Sequence, residues 1–124
     1  MPQAVPLKGV RVLVVEDNFF VAEHIRTILQ ASGCTVVGPV GRLADGLRLA
    51  AEEALDGALL DINLHGDRSF PIADALRERG IPFVFLTGYD SSEVLPERLL
   101  EIRRLGKPIS ESDLIATAEC TFVH

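Results

Sequence analysis

The chain has 124 residues, 48% hydrophobic and 24% charged, which suits one folded domain with a single core and excludes a disordered or membrane-spanning class. Its formal net charge is -6, and its twelve Lys and Arg are scattered apart from Arg103-Arg104 and Lys107, so a nucleic-acid surface, which needs clustered cations, is excluded. No apolar run approaches the roughly 20 residues that cross a bilayer, and the first nine residues lack a signal-peptide core, so a cytoplasmic location without membrane attachment is expected.

Val10 to Val15 is a continuous β-branched run, the pattern of a central strand buried on both faces, and Glu16-Asp17 follow at its C-terminal end. From Asn18 to Ser32, Val21, Ile25, Ile28 and Leu29 recur at helical spacing and Gly33 supplies the stop. Cys34 heads the next apolar segment. Thr35 to Val40 reads as a second strand, and its Gly38-Pro39 pair suits a sheet edge. A helix over Leu43 to Ala54 carries Leu43, Leu47 and Ala50 on one face, and Asp56-Gly57 turns into Ala58-Leu59-Leu60-Asp61, a short apolar run ending in a carboxylate.

A third helix spans Phe70 to Arg79, with Ile72, Ala75 and Leu76 inward and Gly80 closing it. Ile81 to Thr87 is a fourth strand. Around Val94 to Leu100 a short or irregular helix is expected, because Pro96 fits only a first turn. Glu101 to Leu105 forms a weak last strand before Gly106-Lys107-Pro108. Ser110 with Asp113 resembles a capping box opening a final helix that turns Leu114, Ile115, Ala118 and Phe122 inward. Cys34 and Cys120 have no CxxC spacing and no paired histidines, so packed or idle thiols are expected rather than zinc ligands.

Five strands alternating with five helices imply an α/β fold with a parallel sheet covered on both faces, in one domain over residues 1–124 with 1–8 as an N-terminal extension. Parallel strands bring their C-terminal ends to one edge, where open α/β sheets bind ligands. That edge would gather Glu16, Asp17, Asp61, Thr87 and Lys107. Taken singly, each has an ordinary structural reading: Asp61 as a turn residue, Glu16-Asp17 as a solvated turn, Thr87 and Lys107-Pro108 as strand ends. Together, clustered carboxylates repel by roughly 3 kcal/mol per pair at about 5 Å and call for a cation. Hard oxygen ligands suit Mg²⁺.

This constellation resembles the receiver domain of bacterial two-component response regulators over almost the whole chain. The resemblance implies a flavodoxin-like (βα)5 fold with strand order 2-1-3-4-5. It implies that Asp61 is the phosphoacceptor, that Asp17 binds Mg²⁺, that Glu16 is a second acid acting mainly through metal-bound water, and that the Asn63 backbone carbonyl is a further ligand. Thr87 would bind the phosphoryl group and Lys107 would pair with it. Pro82-Phe83-Val84-Phe85-Leu86-Thr87-Gly88-Tyr89 is similar to the Pro-Phe-x-Phe-Ala-Thr-Gly-(Gly or Tyr) motif of the FATGUY receivers, with Leu86 in place of Ala. Typical receivers carry an aromatic three positions before the lysine, where this chain has Arg104, so Tyr89, the 91–100 segment or Arg104 would report switching.

The implied function is phosphoacceptor in a His-to-Asp phosphorelay, with no enzymatic activity beyond its own phosphorylation and dephosphorylation. The implied partners are a sensor histidine kinase of the HWE or a related type, or a phosphotransfer protein, and a downstream protein target. The chain ends one helix after the lysine, which fits either a domain of a longer chain or, as the expected reading, a single-domain regulator without a DNA-binding output domain. The rival is a protein-interaction module of the same fold that works without phosphorylation, against which the intact Asp17, Asp61, Thr87 and Lys107 argue. A haloacid-dehalogenase-type phosphatase would carry Asp-x-Asp where this chain has Glu16-Asp17-Asn18, and no GxGxxG follows the first strand for a dinucleotide.

Overall fold

Strand β1 (Arg11–Val15) lies at the centre of the molecule, and Val12 to Val15 are fully buried, as expected of a strand covered on both faces. In the computed structural model, which describes residues 6–88 and 95–123, it is flanked by β2 (Thr35–Val40) and β3 (Gly57–Asp61). A short antiparallel hairpin, β4 (Asn63–Leu64) and β5 (Asp67–Arg68), follows β3, and β6 (Phe83–Thr87) and β7 (Arg104–Gly106) complete the elements of this type. The main sheet is five-stranded and parallel in the order β2-β1-β3-β6-β7. Leaving the hairpin aside, this is the expected 2-1-3-4-5 winding.

Side chains alternate across a strand, and the core divides accordingly. Val12, Val14, Leu59, Val84 and Leu86 meet α1 (Phe19–Ala31) and α4 (Glu111–Phe122) through Ile25, Leu29, Leu114, Ala118 and Phe122. Leu13, Val15, Leu60, Phe83 and Phe85 face the other way, against α2 (Leu43–Glu52) and α3 (Phe70–Glu78), through Ala50, Ile72 and Leu76. Leu7, in the expected N-terminal extension, is buried in the first of these layers. Cys34 is packed there too, and Cys120 is exposed.

The ends of the helices follow the chemistry of their caps. Asn18 Oδ1 accepts from Phe20 and Val21 N–H at 3.0 and 3.2 Å, opening α1, and Gly33 at φ 95° follows its close. Ser110 Oγ accepts from Asp113 N–H at 3.3 Å and opens α4.

The segment with Pro96 makes the short helix expected there, a 3-10 turn over Glu97–Leu99 with Pro96 at its N-cap, where proline's missing N–H costs no helical bond, so four of the helices among the described residues are α-helices. One expectation shifts. The last strand runs Arg104–Gly106 rather than Glu101 to Leu105, since Ile102 N–H is spent on Leu99 O, closing the preceding turn. The hairpin after Asp61 was not expected. It turns on His65 and Gly66 at φ 50° and 91°, the left-handed pair of a tight two-residue hairpin.

Candidate phosphoacceptor site

The C-terminal edge of the sheet gathers the predicted residues. In register, β1 Val15 lies beside β3 Leu60, and Asp61 beside β6 Leu86, so Glu16, Asp17, Asp61 and Thr87 emerge on one rim. Lys107 follows β7 directly, and its N–H donates to Thr87 O at 2.7 Å, which extends the β6–β7 ladder to the rim.

Glu16, Asp17 and Asp61 each offer a carboxylate oxygen within 4.8 Å of the others. Lys107 Nζ lies 2.7 Å from Glu16 Oε1 and donates to Asp61 Oδ2 at 3.1 Å. Glu16, only 3% exposed, is held from its other side by Asn18 N–H, which donates to Oε2 at 3.0 Å. The residue that caps α1 thereby also fixes an acid of the site. Asp17 Oδ2 accepts His65 N–H at 3.2 Å, which ties the hairpin to the acidic cluster.

Charge is unbalanced here. Burial first, and then the negative charge of Glu16, push the Asp61 carboxyl up to about 7, with Lys107 pulling against them and Asp17 adding to the rise. For Asp17, burial acts upward but is outweighed by hydrogen bonds from Asp61 and from His65 N–H, so its carboxyl falls below the ordinary value. Burial also works to discharge Lys107, yet hydrogen bonding to Glu16 and the charges of both acids raise its ammonium above the usual range. Without a further cation, the rim therefore raises the pH at which Asp61 gives up its proton.

The donor set fits Mg²⁺. It is made of oxygens alone, with neither His nor Cys among the three ligating groups, and hard oxygen ligands at one rim suit an ion that keeps part of its water shell.

The remaining predicted residues divide. Asn63 stands two residues after Asp61; its N–H donates to Asp61 Oδ1 at 3.4 Å, and its side-chain oxygen accepts Gly66 N–H. Arg104 is exposed on the edge strand beside Phe85, two residues below the level of Thr87. Tyr89 and the first four residues of the 91–100 segment lie outside the described residues, as does His124. His24, on α1, bonds through Nε2 to Ile109 O at 3.0 Å, away from the cluster.

One feature of the rim escaped the reading of α1. Phe19 and Phe20, 70% and 81% exposed, stack edge-to-face at its N-terminus, next to Asp17. Their signal is that they fall off the 21-25-28-29 apolar spacing, which leaves two aromatic rings on the solvent side.

The model of the response regulator receiver domain family matches residues 12–119, and all five rim residues fall within that match. The chain belongs to the response regulator receiver domain family. It is therefore a receiver domain of two-component signalling, a family that binds Mg²⁺ in an acidic pocket and works with histidine kinases or phosphotransfer proteins. Among solved structures it is similar to SdrG from Sphingomonas melonis Fr1, at 34% identity over 95% of this chain and 97% of that one, with a TM-score of 0.78. The BeF3-activated conformation of SdrG, from Pseudomonas melonis Fr1, matches at 36% identity, 89% and 92% coverage, and a TM-score of 0.72. The sensory transduction protein LytT of Bacillus cereus is 26% identical over 110 residues, 86% of this chain. The receiver spans about half of LytT's length, 45%. No helix among the described residues is long and apolar enough to cross a membrane.

Proposed function

We propose that this receiver takes a phosphoryl group on Asp61, with Mg²⁺ held by Glu16, Asp17, Asp61 and the Asn63 carbonyl, and that the added charge works as a conformational switch in a His-to-Asp phosphorelay. The observation that carries this reading is the Lys107 ammonium, 3.1 Å from Asp61 Oδ2 and 2.7 Å from Glu16 Oε1, inside a trio of converging carboxylates. A purely structural lysine needs one partner; this one is shared between two acids at a rim that still carries excess negative charge.

The chemistry follows from the groups present. An Asp61 oxygen attacks phosphorus as the P–N bond of a phosphohistidine breaks; a P–O bond forms, and the leaving imidazole takes up a proton. Mg²⁺, when bound, neutralises charge on the transferring oxygens. Lys107, together with the bound cation, would favour the ionised Asp61 nucleophile and would then pair with the new phosphoryl oxygens, while the Thr87 hydroxyl donates to them. The acyl phosphate brings about -1.5 to -2 charges. Both Thr87 and Lys107 are drawn toward it, and their shared N–H···O link moves with them. Tyr89 and Arg104 are the candidate reporters of that movement.

The donor is a sensor histidine kinase, of the HWE or a related type, or a phosphotransfer protein, meeting the receiver in the cytoplasm; a downstream protein reads the switched surface. Phe19 lines a groove of about 240 Å³ with Ala22, Pro39, Val40 and Asp17 beside the acidic rim, and this gives such a donor apolar ground close to Asp61. The Pro82–Tyr89 stretch and the similarity to SdrG support membership of the FATGUY subgroup. The receiver catalyses only its own phosphoryl transfer and hydrolysis.

The test is intact mass after incubation with Mg²⁺ and acetyl phosphate, in wild type and Asp61→Asn. A base-labile gain of one phosphoryl group in wild type alone is expected. No gain, together with no beryllofluoride complex, would establish the phosphorylation-independent interaction module instead.

A further inference from the structure

We propose that Asp74 and Arg98 form a latch between α3 and the β6–β7 connection that holds the unphosphorylated conformation and sets how readily the receiver switches. This role rests on the phosphoacceptor reading of Asp61.

The connection from β6 to β7 differs from the others in the sheet. Where α1, α2 and α3 supply nine to thirteen helical residues, its described part has a single 3-10 turn, Glu97–Leu99. One turn has no cooperative stability of its own, so side-chain tethers fix its position. Leu95 and Leu99 are sunk into the core layer that holds Ile72 and Leu76. Above them, Arg98 spans to α3 with both arms: Nε donates to Asp74 Oδ1 at 2.9 Å and Nη2 to Asp74 Oδ2 at 2.8 Å, the parallel fork geometry that guanidinium and carboxylate share. One turn along α3, Arg77 Nη1 donates to the Arg98 carbonyl oxygen. The Arg98 hydrogen bonds hold the Asp74 carboxyl below its ordinary range, with the charges of Arg98 and Arg77 contributing.

The position of this clamp in the chain gives it a consequence. The connection leaves Thr87 at the end of β6 and returns through β7 to Lys107, so the two groups expected to close on a phosphoryl oxygen stand at its two ends. Drawing both inward displaces the connection relative to α3, and α3 is fixed to the sheet through Ile72 and Leu76. The fork on Asp74 loads as that displacement grows. It is oriented against switching, and its side chains are 54% and 45% exposed, so it is weak enough to yield. Exposed ion pairs bias a two-state equilibrium by about two- to five-fold.

The test is a double-mutant cycle of Asp74→Asn, Arg98→Gln and the pair, read in two ways. Beryllofluoride affinity in Mg²⁺ is expected to rise about two- to five-fold in each single variant, with the double variant no tighter than the singles. Amide hydrogen exchange of Leu99, Leu100 and Ile102, in the absence of beryllofluoride, is expected to speed by a similar factor. Unchanged exchange and affinity in the singles, or effects that simply add in the double variant, would overturn the latch. Faster exchange in a protein that binds no beryllofluoride would refute the switching role while showing that the tether exists, and the failure would then lie with Asp61 as phosphoacceptor.

Discussion

Replacing Asp61 with asparagine removes one carboxylate from a rim where three face a single ammonium, and in metal-free protein this is expected to stabilise the fold at alkaline pH. The Asp61 carboxyl titrates near 3.8 when unperturbed and is pushed up to about 7 here. Between those values the folded chain holds a proton that the unfolded chain has released, so folding stability falls as pH rises through the window and levels off above it. At about 1.36 kcal/mol per pK unit, integration from pH 5 to pH 8 gives a loss of roughly 2–3 kcal/mol. The assay is urea unfolding of wild type and Asp61→Asn in a chelator at both pH values. Wild type is expected to lose on the order of 1–3 kcal/mol more than the variant between pH 5 and pH 8. Added Mg²⁺ is expected to recover most of that loss in wild type and little in the variant. Equal pH dependence in the two proteins would refute the electrostatic account of the rim.

Lys107→Ala should bind Mg²⁺ at least as tightly as wild type, because a competing cation 2.7 and 3.1 Å from two of the acids is gone, yet show no surface change with beryllofluoride; calorimetry and amide shifts together measure this. Phe19→Ala should leave phosphorylation by acetyl phosphate unaltered and slow transfer from a cognate phosphodonor protein by about ten-fold or more, the scale of one buried aromatic contact at an interface. Gly57→Ala should destabilise the fold by about 1–3 kcal/mol in urea unfolding. A Cβ there would stand 2.1 Å from Cδ1 of Phe122, a ring fully buried between α4 and the sheet.

The site was legible because it is written at strand ends. A carboxylate closing an apolar run, as in Leu59-Leu60-Asp61, reads alone as a turn residue, but the alternation of elements was enough to bring it to one rim with Glu16-Asp17, Thr87 and Lys107. What the sequence hid was held by contacts between distant residues. Asn18 reads as a helix cap and is one, but its N–H also pins Glu16, a second use that only the packed rim reveals. The hairpin at His65-Gly66 was too short to carry a strand pattern, and the Asp17–His65 link depends on its turn. The Asp74–Arg98 fork joins residues of opposite charge that look like ordinary solvated surface on their own elements.

The same imbalance links folding to signalling. A rim built only for stability would match its charges, but here one ammonium faces three acids, and once Asp61 ionises two negative charges are unmatched. Carboxylates under 5 Å apart repel by roughly 3 kcal/mol per pair at an effective dielectric near 20. That cost is carried in the metal-free fold above the pH at which Asp61 ionises. It is relieved by a divalent cation, and on the proposed reading the cation in turn admits a dianionic group that the bare rim would repel. A variant neutral at this rim should therefore be more stable and unable to signal, which ties the stability gain in Asp61→Asn to the loss of its phosphoryl uptake.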